Sequence, residues 1–194
     1  MTTTATATTS LTSTERGQTM TTLILAFGAD PVVRWTYPQT DRYLEHFPEF
    51  VHLLGGAAFD AGTADHHDGG AALWVPPDTP LDDEALGELV QRTIDADRQP
   101  DMIAFSEQAT EHRPTSPHWY LAFIGVDPRC QGQGKGSALL EQGLARCDDD
   151  RLPAYLDAST PRNRALYERH GFEVIAEVQA GDSPPMWSML RPAH

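Results

Sequence analysis

The sequence has few cysteines, few basic residues and no long apolar run, and each scarcity excludes a class of protein. Cys130 and Cys147 are too few for a disulfide framework, and without a Cys-x-x-Cys pair no metal site is expected. Lys and Arg number 14 against 28 Asp and Glu, a formal net charge of -14, which argues against nucleic acid because such binding needs clustered cations. The apolar run at residues 23–27 is far too short for a membrane span or a signal-peptide core. We therefore expect a cytoplasmic protein with no membrane partner.

The remaining composition is that of an ordinary globular protein. Hydrophobic residues make up 40% and charged residues 22% of the 194 residues, which is enough apolar surface for one independent core. We expect a single domain over residues 1–194. The alternating Thr and Ala residues at 1–12 fit either a flexible tail or an edge strand, and composition does not separate the two.

Helical and strand periodicities predict the elements of the first half. Thr12 and Glu15 are spaced as in a capping box, which marks the start of a helix. Turn-forming residues at 65–70 predict a hairpin turn, so His66 and His67 are expected in a solvated turn rather than at a metal. The predicted elements are helices at 14–27, 30–38, 41–54, 81–96 and 102–111, and hairpin strands at 57–64 and 71–75.

The second half alternates strands and helices. A dense aromatic and β-branched run predicts a buried central strand at 118–126, and a glycine-rich loop follows it. The remaining predicted elements are helices at 137–147 and 162–170 and strands at 153–157, 172–178 and 186–190. We expect a mixed α/β fold.

The loop Gln131-Gly132-Gln133-Gly134-Lys135-Gly136 lies between a predicted strand and a predicted helix. Free backbone N–H groups at a helix N-terminus favour an anion, and glycines let the backbone approach it closely. Arg129 and Lys135 add two cations to an otherwise acidic chain. The loop therefore predicts a phosphate-containing ligand.

The spacing of the loop disfavours two common nucleotide sites. A Walker A loop requires Gly-Lys-Ser/Thr, but Gly136 follows Lys135, and Cys130 stands where the first glycine is required. A Rossmann site requires GxGxxG near the start of a βαβ unit, whereas this loop has GxGxG deep in the chain.

Gln131, Gly134 and Gly136 fit the pattern Q/R-x-x-G-x-G/A, in which the loop resembles the GNAT superfamily of N-acetyltransferases. The segment at 162–172, which contains Asn163 and Tyr167, is similar to the late helix and strand of that superfamily. The C-terminal half is also similar to the puromycin N-acetyltransferase group of actinobacterial proteins. The resemblance implies one domain with a central, mostly antiparallel, splayed sheet flanked by helices, and an acetyl-CoA-binding core at 118–172.

The resemblance also implies roles for individual residues. Tyr167 would be the catalytic general acid, and Arg34, Trp35 and Tyr37 would form part of the acceptor wall. Acetyl-CoA would be the co-substrate and a small primary amine the acceptor. The residues implied for acetyl-CoA are Ile124, Gly125, Val126, Arg129, Gln131, Gly132, Gln133, Gly134, Lys135, Gly136, Ser137, Asn163 and Tyr167.

Several points stay open at the level of sequence. The general base could be Glu107, His112, His118 or Asp157, or a water chain could remove the proton. Cys130 is not required as a nucleophile, because the superfamily transfers the acetyl group directly. The acceptor could instead be a protein N-terminus or lysine, or the chain could be a catalytically silent acyl-CoA-binding module. The protein is expected as a monomer or a homodimer.

Overall fold

The computed structural model describes residues 11–194. The choice between tail and edge strand falls almost wholly on residues 1–10, outside the described part. Residues 11–194 form eight α-helices and one six-stranded sheet with strand order β1-β2-β3-β4-β6-β5. None of the helices described is long and apolar enough to cross a membrane.

The helices begin where the sequence supplies capping side chains. The Thr12 hydroxyl accepts the Glu15 N–H, and the Glu15 carboxylate accepts the Thr12 N–H at 2.8 Å, which completes the predicted capping box. The helices are α1 (Ser13–Phe27), α2 (Pro31–Thr36), α3 (Thr40–Gly55), α4 (Ala57–Ala61), α5 (Asp83–Thr93), α6 (Gln99–Glu111), α7 (Lys135–Asp150) and α8 (Pro161–Arg169).

The strands are antiparallel except for one central pair. They are β1 (Ala64–His67), β2 (Gly70–Val75), β3 (Trp119–Val126), β4 (Ala154–Ala158), β5 (Glu173–Val178) and β6 (Met186–Arg191). The parallel strands β3 and β4 pair only at Trp119 with Ala154 and Tyr120 with Tyr155. Beyond that point the two strands diverge toward their C-terminal ends, which confirms the splayed, mostly antiparallel sheet predicted from the sequence.

The gap between β3 and β4 exposes backbone groups of β3. The Asp127 N–H donates to the Gly69 carbonyl at 2.8 Å, on the side of β3 that faces β2. Because N–H groups alternate sides along a strand, those of Ile124 and Val126 face the gap. An irregularity in the β2–β3 register lies just before this stretch, between Leu73 and Trp74, so the alternation of β3 changes phase there.

Helices pack closely on both faces of the sheet, and glycine makes two of these contacts possible. A Cβ on Gly143 of α7 would lie 2.0 Å from the Trp74 indole nitrogen, and a Cβ on Gly125 of β3 would lie 2.6 Å from the Ala26 Cβ of α1. Either helix would have to move to accept a side chain. The contact at Gly125 places the end of α1 directly over the end of β3.

The predicted strand at 57–64 is wrong. Gly56 has helical angles (φ -61, ψ -31), so the chain passes almost directly from α3 into the short helix α4, which ends at Gly62 in the left-handed region. The hairpin turn consequently shortens to Asp68 and Gly69. His66 lies within β1, and His67 ends it, with its Nε2 2.7 Å from the Gln142 side-chain oxygen.

Candidate active site

A cleft of about 360 Å³ opens between β3, the start of α7 and helix α8, which follows β4 in the chain. It brings residues together from α1, the α1–α2 connection, β3, the glycine loop and α8. The lining residues are Ala26, Phe27, Asp30, Ile124, Gly125, Val126, Cys130, Gln131, Gly132, Gly134, Lys135, Gly136, Ser137, Arg162, Asn163, Leu166, Tyr167 and Arg169. We call it the glycine-loop cleft. It contains most of the residues that the sequence assigned to acetyl-CoA.

The glycine loop has the backbone shape of an anion cradle. Gly132 and Gly134 have φ values of +76 and +78, a region that only glycine adopts readily. A Cβ at either position would meet no protein atom within 4 Å among the described residues, so the backbone there faces open space. Helix α7 begins at Lys135, and no described side chain caps its N-terminus. Its first N–H groups are therefore free to bind an anion such as a phosphate group.

The open edge of β3 completes the neighbouring wall. The Gln131 side-chain amide donates to the Val126 carbonyl at 3.2 Å and so holds the loop against the strand. The N–H groups of Ile124 and Val126 face the gap, as the alternation of the strand requires. This edge suits a ligand that carries amide groups along an extended arm.

The cations at the cleft differ in part from those predicted. Lys135 lines it, with its ammonium 2.5 Å from the Asp68 carbonyl. Arg129 does not: its guanidinium is 2.7 Å from the Asp127 carboxylate, and this contact lowers the pKa of Asp127 to about 2. Gln133 is also absent from the described lining. Arg162 and Arg169 of α8 contribute instead. They are spaced two helical turns apart and so share one face of α8, which is the sequence signal that could have identified them.

Tyr167 lies in the wall formed by α8. Its side chain is buried, with its ring centroid 5.9 Å from that of Phe172. Burial raises the pKa of the phenol well above its ordinary range, and the negative charge of Asp30 raises it further. The phenol therefore keeps its proton at every physiological pH. Asn163, one turn earlier, also lines the cleft, and its N–H is capped by the Thr160 hydroxyl.

Asp30 is a cleft residue that the sequence analysis did not single out. Its Oδ1 accepts the N–H groups of Val32 and Val33 at 3.0 and 3.1 Å and thereby caps α2, and its Oδ2 accepts the Ser159 hydroxyl. Burial raises the pKa of this carboxyl, although the three hydrogen bonds oppose the rise. An Asp before a Pro at a helix start is a visible signal, but it predicts a cap and gives no hint of the cleft.

The three residues predicted for the acceptor wall are outside the described lining of the cleft. Tyr37 is buried, and its hydroxyl lies 3.1 Å from the Thr93 hydroxyl. The Trp35 indole N–H donates to the Asp182 carboxylate at 2.7 Å, and its ring packs on Phe105. Arg34 donates to the Pro38 carbonyl and lies over the Tyr43 ring.

The four candidate bases are likewise absent from the described lining. Glu107 is exposed on α6, and His112 ends that helix. His118 bonds the Ser116 carbonyl at 2.7 Å. Asp157 accepts the Ser188 and Tyr155 hydroxyls at 2.7 and 2.9 Å, and burial raises its pKa.

Comparison with known proteins gives relatives of one kind. Residues 56–172 match the model of the acetyltransferase (GNAT) family. An N-acetyltransferase of Schizosaccharomyces pombe is 27% identical over 193 residues, which covers 88% of this chain and 76% of that protein. A mycothiol acetyltransferase of Salinispora arenicola is 45% identical over 65 residues, but the match spans only 21% of its length.

Solved structures agree at the level of the fold. A protein of Corynebacterium glutamicum described as histone acetyltransferase HPA2 and related acetyltransferase superposes with a TM-score of 0.68 at 25% identity, covering 96% of this chain and 95% of that one. An arylalkylamine N-acetyltransferase of Aedes aegypti has the same TM-score at 14% identity, covering 96% and 98%.

The family match covers more than half of the chain and includes β2, β3, the glycine loop and α8. The resemblance drawn from Gln131, Gly134 and Gly136 is thereby confirmed, together with the enzyme class, an N-acetyltransferase. The chain belongs to the GNAT family of acetyltransferases.

Proposed function

We propose that this protein transfers an acetyl group from acetyl-CoA to the primary amine of a small molecule, by direct attack in a ternary complex. The observation that carries the proposal is the glycine-loop cleft, in which the uncapped N-terminus of α7, the open edge of β3 and Tyr167 line one continuous space. Each of these three parts fits a different part of the reaction.

The loop and the cations hold the donor. The free N–H groups at the start of α7 receive the pyrophosphate, and Lys135, Arg162 and Arg169 add positive charge around it. The N–H groups of Ile124 and Val126 face the gap, and one of the two bonds an amide of the pantetheine arm. The coenzyme supplies the activated acetyl thioester when bound.

The backbone and Tyr167 act at the reacting atoms. A backbone N–H at the end of β3 stabilises the negative charge that develops on the carbonyl oxygen, a type of contact worth about 100- to 1,000-fold in rate. Because burial raises the pKa of Tyr167, its phenol stays protonated and donates a hydrogen bond to the departing sulfur.

The experiment compares acetyl-CoA binding and turnover in two variants. Gly134→Glu places a carboxylate at the pyrophosphate position and a side chain at φ +78, so calorimetry is expected to find no binding. Gly17→Glu is the matched control, because Gly17 is exposed on α1 with open space around it, and its affinity is expected to be unchanged. Tyr167→Phe is expected to bind normally and to lose about 100-fold in kcat.

The acceptor is tested with a panel of tyramine, agmatine, spermidine, an aminoglycoside and a lysine-containing peptide. Acetylation of a small amine supports the proposal, and exclusive acetylation of the peptide favours a protein acceptor instead. Tight acetyl-CoA binding with thioester hydrolysis alone would indicate a silent acyl-CoA-binding module. Unchanged acetyl-CoA affinity in Gly134→Glu would overturn the assignment of the cleft.

A further inference from the structure

The cleft carries a negative charge, that of Asp30, to which the acetyl-CoA assignment gives no role. Among its described lining residues, the cations Lys135, Arg162 and Arg169 belong to the glycine loop and α8, whereas Asp30 is the one carboxylate. We propose that Asp30, positioned by Ser159, binds the ammonium group of the acceptor and removes its proton. This inference rests on the proposed acetyl transfer and supplies the base for it.

The packing places Asp30 at the mouth between the diverging strands. Helix α1 contacts β3 so closely at Gly125 that a Cβ there would lie 2.6 Å from Ala26, and Asp30 follows three residues after the end of α1. Ser159, which directly follows β4, donates its hydroxyl to Asp30. The carboxylate is therefore held between the C-terminal ends of the two strands that form the gap.

The environment of Asp30 is that of a base rather than of a surface charge. The residue is 7% exposed, and burial raises the pKa of its carboxyl, so it takes up a proton more readily than an exposed aspartate. The titratable groups that face it are Tyr167 from α8 and Tyr43 from α3. Burial raises the pKa of both phenols, and the negative charge of Asp30 raises it further. Arg34 of α2 lies over Tyr43. The phenols stay neutral while Asp30 titrates.

The proton and bond changes balance with these groups. Asp30 takes one proton from the ammonium, and the freed nitrogen lone pair forms the N–C bond to the acetyl carbonyl carbon. The C–S bond breaks while Tyr167 donates a hydrogen bond to the sulfur. The second proton of the nitrogen passes to the sulfur to give the thiol, and Asp30 later returns its own proton to solvent.

Asp30 also caps α2, so a substitution that tests its role as a base must leave the cap intact. Asn is as good an N-cap as Asp and keeps an oxygen for the N–H groups of Val32 and Val33, and its amide can donate to Ser159. Asp30→Asn thus removes the charge and the basicity but retains the cap. Asp82→Asn is the matched control, because Asp82 is an exposed cap of α5 that accepts the Ala85 N–H at 2.9 Å.

The test measures kcat/KM from about pH 4 to about pH 9, a range that reaches the carboxyl limb, with the best small amine of the panel. With Asp30 as the base, the wild-type profile is flat at pH values between the pKa of Asp30 and that of the amine, about 10.4. Asp30→Asn can use only the neutral fraction of the amine, so its kcat/KM rises about tenfold per pH unit. At pH 7 its kcat/KM is about 100- to 1,000-fold below that of the wild type. Calorimetry is expected to give unchanged acetyl-CoA affinity and about tenfold weaker binding of the protonated amine.

Ser159→Ala gives a second, independent readout. Loss of the hydroxyl donor raises the pKa of Asp30 further, so the acidic limb of kcat/KM is expected to move to higher pH while Asp30 itself remains. The inference is overturned if Asp30→Asn has the wild-type dependence of kcat/KM on pH, or if its kcat/KM falls by the same factor at every pH. It is also overturned if the acidic limb of kcat/KM does not move in Ser159→Ala. If the wild type acetylates none of the amines, it is the proposed function that fails.

Discussion

The two walls of the cleft are built in different ways. The wall proposed for acetyl-CoA, which we call the donor wall, comes from the end of β3, the glycine loop and α8, and its lining residues lie within two segments, 124–137 and 162–169. The opposite wall uses Ala26, Phe27 and Asp30, which reach the site only because α1 packs on β3. Local backbone geometry determines the first wall, and long-range packing determines the second.

The contact between α1 and β3 is the point at which the second wall depends on the first. Gly125→Ala would place a Cβ 2.6 Å from Ala26, so α1 must shift away from the strand. We expect a loss of about 1–3 kcal/mol in the free energy of unfolding, measured by chemical denaturation, because overpacking costs about that much. A fall in kcat/KM for the amine larger than the fall in acetyl-CoA affinity should accompany it.

The control for this prediction is Gly17→Ala on the exposed side of α1. A Cβ at Gly17 meets no described atom within 4 Å, so the change should stabilise the protein by about 0.5–1 kcal/mol through helix propensity. Equal stability of the two variants would mean that α1 adapts freely and that the wall formed by Ala26, Phe27 and Asp30 does not depend on this contact.

The residues placed by local backbone geometry could be predicted from the sequence, whereas those placed by long-range packing could not. Gln131, Gly134 and Gly136 could be identified because a phosphate cradle needs glycines at fixed local spacing. Trp35 and Tyr37 have the size and polarity of acceptor-wall residues, but their partners Asp182 and Thr93 are distant in sequence. Only the tertiary packing reveals that these polar groups are already bonded elsewhere.

The fold followed the sequence where local signals agreed and departed from it where they did not. The capping box at Thr12 and the dense apolar strand β3 were located to within one residue. The segment at 57–64 was predicted as a strand because it precedes the turn at 65–70, yet residues 57–61 form α4, with Ala58 and Phe59 buried in the core. Alanine favours a helix, so the local preference of this segment agrees with α4, and burial of Ala58 and Phe59 in the core stabilises it.

The cations of the donor wall offer a second test of the comparison. Arg162→Ala and Arg169→Ala should each weaken acetyl-CoA binding about 5- to 10-fold at low salt, with a smaller effect at high salt, because both side chains line the cleft and are exposed to screening. Arg129→Ala is the matched control. Its guanidinium pairs with Asp127, so we expect less than a twofold change in affinity.

Calorimetric titration at about 20 mM and about 300 mM salt, which shortens the Debye length roughly fourfold, separates these cases. A larger effect for Arg129→Ala than for the α8 arginines would indicate that the Asp127 contact opens on binding. The donor wall would then rearrange when acetyl-CoA binds.

The smallest effect on activity is expected at Tyr37, which directly follows α2 and was predicted for the acceptor wall. Tyr37→Phe removes one buried hydrogen bond to Thr93 and should cost about 1 kcal/mol in the free energy of unfolding. Because the hydroxyl is bonded outside the cleft, KM for the amine should change less than twofold, measured beside Asp30→Asn. A rise in KM for the amine in Tyr37→Phe with unchanged stability would instead indicate that Tyr37 contacts the amine. The contact between Tyr37 and Thr93 would then have to break when the amine binds.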